Sequence, residues 1–264
     1  MPIFPEHRLS IKEAWITSFQ LYRKSFPKVW YFALAAGCLG DIFHLSFDLG
    51  VLVSYLILAP LNMYPASLIL YQTHNIGMEK NLTFKDLISI TKKKYIKLII
   101  IFFVILTPID ICLVVFGPYL GVIIFMLGNY VNCSYELITM GIFCLPFLMT
   151  LLLLYISECL ILFDSQKIWD SIEITCILLL GNIWRSLIII LPSVAAIVIM
   201  SELPSKHIWW YQAAALLIMK TLLYPAFFAS VLILFNDLKL RKTIATAEGR
   251  PEHVDKVRAH DIPE

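Results

Sequence analysis

The stretch 164–200, DSQKIWDSIEITCILLLGNIWRSLIIILPSVAAIVIM, changes its hydrophobic pattern twice. A polar opening leads into an amphipathic segment. A Gly181-Asn182 break follows, and then an apolar run led by Trp184 and Arg185. Apolar positions at helical spacing with charges on the other face predict a helix lying on a membrane surface. A run of about 17–25 apolar residues predicts one that crosses the bilayer. The same plan occurs twice upstream. Near the start, Ile11, Trp15, Phe19, Tyr22 and Phe26 recur at helical spacing, while Lys12, Glu13, Gln20, Arg23 and Lys24 occupy other faces. Ser10 with Glu13 three residues on is a capping-box signature, and Pro27 is expected to close this helix. The middle copy is Lys85-Asp86-Leu87-Ile88-Ser89-Ile90-Thr91, leading to Tyr95-Ile96-Lys97. Each copy has an acidic residue in its first turn, where the helix dipole favours it, and ends in basic residues at the membrane boundary.

Six spans follow from the apolar runs, at about 29–47, 51–72, 96–116, 140–163, 184–200 and 208–236. The segment 117–139 between the third and fourth is either an extension of the third helix past Gly117-Pro118 or a piece dipping into the outer interface. Charge tests this drawing. With the N-terminus in the cytoplasm, 19 of the 21 Lys and Arg residues fall inside. Only Lys206 falls outside, and only Lys220 lies within a span. The positive-inside rule predicts such a bias for correctly placed short loops.

The even-numbered spans resemble one another. Tyr64-Pro65-Ala66-Ser67-Leu68-Ile69-Leu70-Tyr71 compares with Tyr155 to Phe163, and with Tyr224-Pro225-Ala226 followed by Ser230 to Phe235. The expected fold is an all-α membrane protein with six transmembrane helices, as three repeats of amphipathic surface helix plus transmembrane hairpin. The repeats cover about 10–72, 82–163 and 168–236 of a single membrane domain, 1–236. Residues 237–264 are expected to form a solvated cytoplasmic tail.

Composition agrees. The chain has 264 residues, 59% hydrophobic and 15% charged, with mean hydropathy +0.80, against about 45–50% apolar and 25% charged for soluble domains. No cleavable leader is expected, because the first apolar run lies behind a charged segment. The six cysteines form no CxxC and have no His at ligand spacing, so they read as small packing residues. No HExxH, GxSxG, P-loop or GxGxxG is present. The expectation is no enzyme, no metal and no cofactor.

Ionisable groups inside spans are costly, by about 2.5–3.5 kcal/mol on insertion scales, and therefore mark functional candidates. They are Asp41 and His44 in the first span, Asp110 in the third, Glu158 in the fourth and Lys220 in the sixth. Asp41, Asp110 and Lys220 fall at similar depth, so Lys220 is expected to pair with one of the two carboxylates. Glu158 is expected to pair with Arg185 or Lys167. Arg23, Lys24, Lys28, Lys92, Lys93, Lys94, Lys97 and Arg185 are candidate contacts for anionic lipid headgroups, each worth about 1 kcal/mol near the surface.

Leu145-Pro146, Glu158, Trp169-Asp170-Ser171 and Leu180-Gly181-Asn182-Ile183-Trp184-Arg185 resemble the YciC family of bacterial inner-membrane proteins. They are also similar to the membrane domain of some glycerophosphodiester phosphodiesterases. The likeness covers about 82–191, and departs at Cys144-Leu145-Pro146-Phe147 and at 117–139. It implies a six-span protein of the bacterial inner membrane, both termini cytoplasmic, with a structural or accessory role in the envelope. Expected partners are membrane lipids or another membrane protein, and no nucleic acid. The alternatives are a small transporter or channel using Asp41, Asp110 and Lys220, and a membrane-embedded enzyme acting on lipid.

Overall fold

The computed structural model describes residues 3–46, 59–80, 82–131, 135–202 and 210–247. Among them every regular element is an α-helix: α1 (Ile11–Ser46), α2 (Ala59–Gly77), α3 (Phe84–Val131), α4 (Tyr135–Asp164), α5 (Ile168–Leu179), α6 (Ile183–Glu202) and α7 (Trp210–Ala247). The all-α class read from the sequence holds.

Helices α2, α4 and α7 are the inner ones. Their apolar runs supply most of the large side chains with no exposure, including Ile69, Leu70, Leu152, Ile156, Ile161, Leu162 and Phe235. Of the other long helices, α1 lies on α2 and α7, α3 on α2 and α4, and α6 on α7 with lighter contacts to α1 and α4. Tyr71, Phe163 and Phe235 end the three inner Leu/Ile runs, and they meet at one level. Ring centroids are 5.8 Å apart for Tyr71–Phe163 and 6.2 Å for Phe163–Phe235.

Buried hydroxyls and amides in these apolar helices need partners, because an unpaired polar group in a medium without water is costly. Most turn back on their own helix. Ser18, Ser67, Thr150, Ser171, Thr175, Ser186, Thr221 and Ser230 each donate to the carbonyl four residues earlier. Asn75 and Asn236 do the same. This is the local solution Ser and Thr use where helices pack without water.

The starts of α1 and α3 are capped by side chains. Ser10 N–H donates to Glu13 Oε2 at 2.7 Å while Glu13 N–H donates to Ser10 Oγ at 3.2 Å, which is the capping box read from the sequence. Thr83 and Asp86 cap α3 in a related way.

Two expectations about the helices are corrected. Pro27 does not close the first helix but lies inside α1. It removes one backbone bond, to the carbonyl of Arg23, and both residues are exposed, so no buried acceptor is orphaned. The first two amphipathic segments are not separate surface helices either. Each is the opening of a longer helix, α1 of 36 residues and α3 of 48. Only the third copy breaks, at Gly181, whose φ of +79° is one L side chains rarely adopt. Finally, residues 117–131 extend the third helix, as the first of the two alternatives for 117–139 had it.

Among the described residues Ala214–Thr243 of α7 is long and apolar enough on its own to cross a membrane. Ile168–Leu179 and Ile183–Ala196 meet the same standard only together, bent by 99° at the Gly181 break. The tail also begins later than expected. Helix α7 runs on to Ala247, and Asp237 is fully buried.

Candidate functional site

The C-terminal ends of α2 and α4 and the start of α6 come together beside Asp237 of α7. The N-terminal segment closes over them. Asp237 Oδ1 accepts Leu9 N–H at 3.0 Å, and its Oδ2 accepts Arg185 Nε at 3.0 Å and Arg241 Nε at 2.9 Å. Both guanidinium groups then donate a second bond to the Leu9 carbonyl. One buried carboxylate and two arginines therefore tie the N-terminal segment, α6 and α7 into a knot. Ile3 N–H adds a bond to Gly77 O at 3.0 Å. The Phe4 ring lies against Gly77, where a Cβ would stand 2.6 Å from Cε2 of the ring.

Around this knot lie further ties. Lys94 at the start of α3 donates to Leu162 O at 2.6 Å and to Ser165 Oγ at 2.9 Å, and burial pulls its ammonium below the usual lysine range. Lys239 reaches both carboxylate oxygens of Asp164, at 3.0 and 2.8 Å, and lies over the Phe235 ring. Trp15 Nε1 donates to Ile189 O at 3.3 Å.

His74 stacks on Phe163 with centroids 3.8 Å apart and leans on Phe4 at 5.3 Å. Burial, helped by the Lys80 and Lys239 charges and opposed by Asp164, pushes its pKa down from 6.5 to about 4. The folded protein therefore holds His74 neutral where the unfolded chain would protonate it. The stability this contributes is complete above about pH 6.5 and is lost as pH falls toward about 4. Unfolding of the wild type and of His74→Phe, followed by thermal melting across that window, is expected to show a wild-type decline that the variant lacks. Parallel curves would remove His74 from the account.

Further up the bundle α4 carries a second polar site. Glu158 is 1% exposed. Its Oε1 lies 2.5 Å from Ser67 Oγ of α2, and its Oε2 has no partner among the described residues. Asn62, Gln72 and Thr73 of α2 and Thr91 of α3 also carry a buried oxygen with none. On the other face of α4, Ser157 Oγ donates to Thr175 Oγ1 of α5 at 2.9 Å.

The predicted site residues are distributed unevenly over these features. Glu158 does not pair with Arg185 or Lys167. Arg185 belongs to Asp237, and the Glu158 neighbour is Ser67. Arg185 and Lys94, read as headgroup contacts, instead bond within the protein, to a buried carboxylate and to acceptors at the end of α4. Lys24 makes an exposed pair with Glu79 at 3.4 Å. Arg23, Lys28, Lys92, Lys93 and Lys97 are exposed as expected. The side chains of Asp41, His44 and Asp110 lie outside the described residues. Lys220 is half-buried. Helix α1 passes it closely at Gly37, where a Cβ would stand 3.7 Å from the Lys220 Cβ. Asp237, Ser67, Phe4 and the Leu9 backbone were missed by sequence reasoning. The tyrosine-led alignment was a signal for one of them, since Ser67 and Glu158 each stand three residues after their tyrosine.

Among the described residues no group of three His, Cys, Asp or Glu is placed to hold a metal ion. Comparison with family models, with curated proteins and with solved structures finds no match to this chain.

Proposed function

We propose that this chain is a multi-pass protein of the bacterial inner membrane with six spans and both termini in the cytoplasm. In this reading it serves a structural or accessory role in the envelope by binding anionic lipid at its cytoplasmic end, and it catalyses no reaction. The resemblance to the YciC family points the same way, as does the packing of α1 and α3 each on a pair of inner helices and of α6 on α7, which three hairpin repeats about a common axis would produce.

One observation carries the lipid reading. The end held together by the Asp237 knot is ringed by exposed aromatic and aliphatic side chains interleaved with exposed cations. Trp169 is 70% exposed, Trp184 72% and Ile96 71%, with Trp15 and Phe19 on α1. Arg23 and Lys28 of α1 and Lys92, Lys93 and Lys97 of α3 share that end. Tryptophan beside Lys and Arg is the composition of a bilayer interface, where the ring settles at headgroup depth and the cation meets phosphate. The 99° turn between α5 and α6 gives the shape such a place requires, with one helix along the surface and the next into the core.

Changing Arg23, Lys28, Lys92, Lys93 and Lys97 to Gln tests it. Each charge is worth about 1 kcal/mol, roughly fivefold in affinity. Protein released from nanodiscs of mixed anionic and zwitterionic lipid, and weighed by native mass spectrometry, is expected to lose its anionic lipid in the fivefold variant. Equal retention by wild type and variant would sink the reading.

A further inference from the structure

We infer that Glu158 is a proton-binding site, a neutral carboxyl that donates its own hydrogen to Ser67 Oγ. The argument is a count of hydrogens and is independent of the lipid-binding reading. Ser67 Oγ lies 2.8 Å from the Met63 carbonyl and 2.5 Å from Glu158 Oε1. A carbonyl oxygen only accepts, and Ser67 has one hydroxyl hydrogen, so it can fully serve Met63 O or Glu158 Oε1 but not both. Two oxygens 2.5 Å apart need a hydrogen between them. With the Ser67 hydrogen on Met63 O, as the buried Ser18, Ser171, Ser186 and Ser230 place theirs on the carbonyl four residues back, that hydrogen comes from Glu158. A carboxylic acid has one donor and keeps acceptor capacity on its other oxygen. The site matches this, since Oε2 is buried and has no hydrogen-bond donor among the described residues. An ionised carboxylate there would be an uncompensated charge in the core.

The surroundings offer no substitute counter-charge. Among the described residues no cation bonds to Glu158. On α2 its hydrogen-bond partner among the described residues is Ser67. The titratable neighbours on its own helix are Tyr155 and Cys159, each within electrostatic reach of Glu158. On α7 it is Tyr224, which acts on Tyr155. The phenols on the turns flanking Ser67 are Tyr64 and Tyr71 of α2, and Tyr64 meets Tyr95 of α3 edge-on at 5.1 Å. All of these are neutral acids. The ion pair on its own helix, Asp164 with Lys239, lies at the end of α4, six residues further along.

Loss of the proton has a defined consequence. The Oε1–H bond breaks and the proton leaves for solvent water. The carboxylate then needs a donor, and Ser67 can supply one only by releasing Met63 O. Protonation of Glu158 is thereby coupled to the hydrogen bonding of α2, and the contact between α2 and α4 has two states set by one proton.

Infrared spectroscopy of the full chain in lipid vesicles tests this. At neutral pH the wild type is expected to show a protonated-carboxyl C=O band that Glu158→Gln lacks. In Ser67→Ala the band persists but moves to higher frequency, as a carboxyl without an acceptor does. A hydrophobic carbodiimide, which attacks protonated carboxyls in apolar surroundings, is expected to modify Glu158 in the wild type. The yield, mapped by peptide mass spectrometry, should fall about tenfold per pH unit once the carboxyl ionises. No band assignable to Glu158 at neutral pH, with no adduct there, overturns the inference. So does a band that Ser67→Ala leaves unmoved. If Glu158→Gln fails to fold, the wild-type and Ser67→Ala spectra and the adduct map decide it by themselves.

Discussion

Replacing Asp237 by alanine is expected to cost most of the protein's folding stability. The carboxylate is buried completely, and it accepts from the Leu9 backbone and from two guanidinium groups. Removing one side of a buried ion pair leaves the other charged and unpaired, at about 3–5 kcal/mol. Here two arginines and one amide would lose their acceptor together. Whole domains are stable by only about 5–15 kcal/mol. Asp237→Asn is the informative companion. It keeps an oxygen for Leu9 N–H and removes the counter-charge for Arg185 and Arg241, so its loss should fall between wild type and alanine. The exposed pair of Lys24 with Glu79 gives the contrast, because surface pairs are worth about 0–1 kcal/mol. Thermal unfolding in one detergent should rank the proteins as Lys24→Ala near wild type, then Asp237→Asn, then Asp237→Ala. An Asp237→Ala melt indistinguishable from Lys24→Ala would mean that the knot does not hold this end of the bundle.

Asp237 also shows where the sequence stops being legible. Hydropathy along the chain identifies which segments are apolar and which faces are polar, and the helices follow it closely. The Ser10–Glu13 box was readable because both partners lie within one turn. The break at Gly181 was readable because Gly-Asn interrupts an otherwise continuous helical pattern. The partner of Arg185 lies 52 residues further along, and Leu9 is 228 residues from Asp237. Periodicity reports which face a side chain occupies. It does not report which of several basic helix ends will meet a carboxylate. Arg185 and Lys94 were therefore read as facing lipid, when the fold brings acceptors to each. Continuity was misjudged for a different reason. Pro27 ends a helix when its missing bond would be buried, and in α1 that bond lies on an exposed face. Glu158 was legible as a buried acid but not in its partner. A charge is expected to answer a charge, whereas the bundle answers with the hydroxyl of Ser67.

The second large effect is expected at the other tie of the N-terminal segment, and it has the form of a coupling. Phe4 is buried against Gly77 and His74 and packs into the same cluster as Leu21. Phe4→Ala removes a buried ring, at about 3 kcal/mol or more. Gly77→Ala places a methyl 2.6 Å from the Phe4 ring and 3.3 Å from Leu21 Cδ1. Real Cβ atoms do not approach that closely, so the ring must leave its seat, and overpacking of this kind costs about 1–3 kcal/mol. The two losses share one cause, because each unseats the same ring. With Phe4 already truncated, the new methyl at Gly77 has space, and it removes the flexibility that glycine gives the end of α2. The double variant is therefore expected to be more stable than the sum of the single losses predicts, by about 0.5–3 kcal/mol. Four unfolding curves close the cycle: wild type, each single variant and the double. If the losses simply add, the ring and the backbone at Gly77 do not meet, and the N-terminal segment is held by its backbone bonds at Ile3 and Leu9. If they couple, the segment is fastened at both ends, by a ring in a glycine notch and by a backbone amide on a buried carboxylate. Release of the segment would then have to break both.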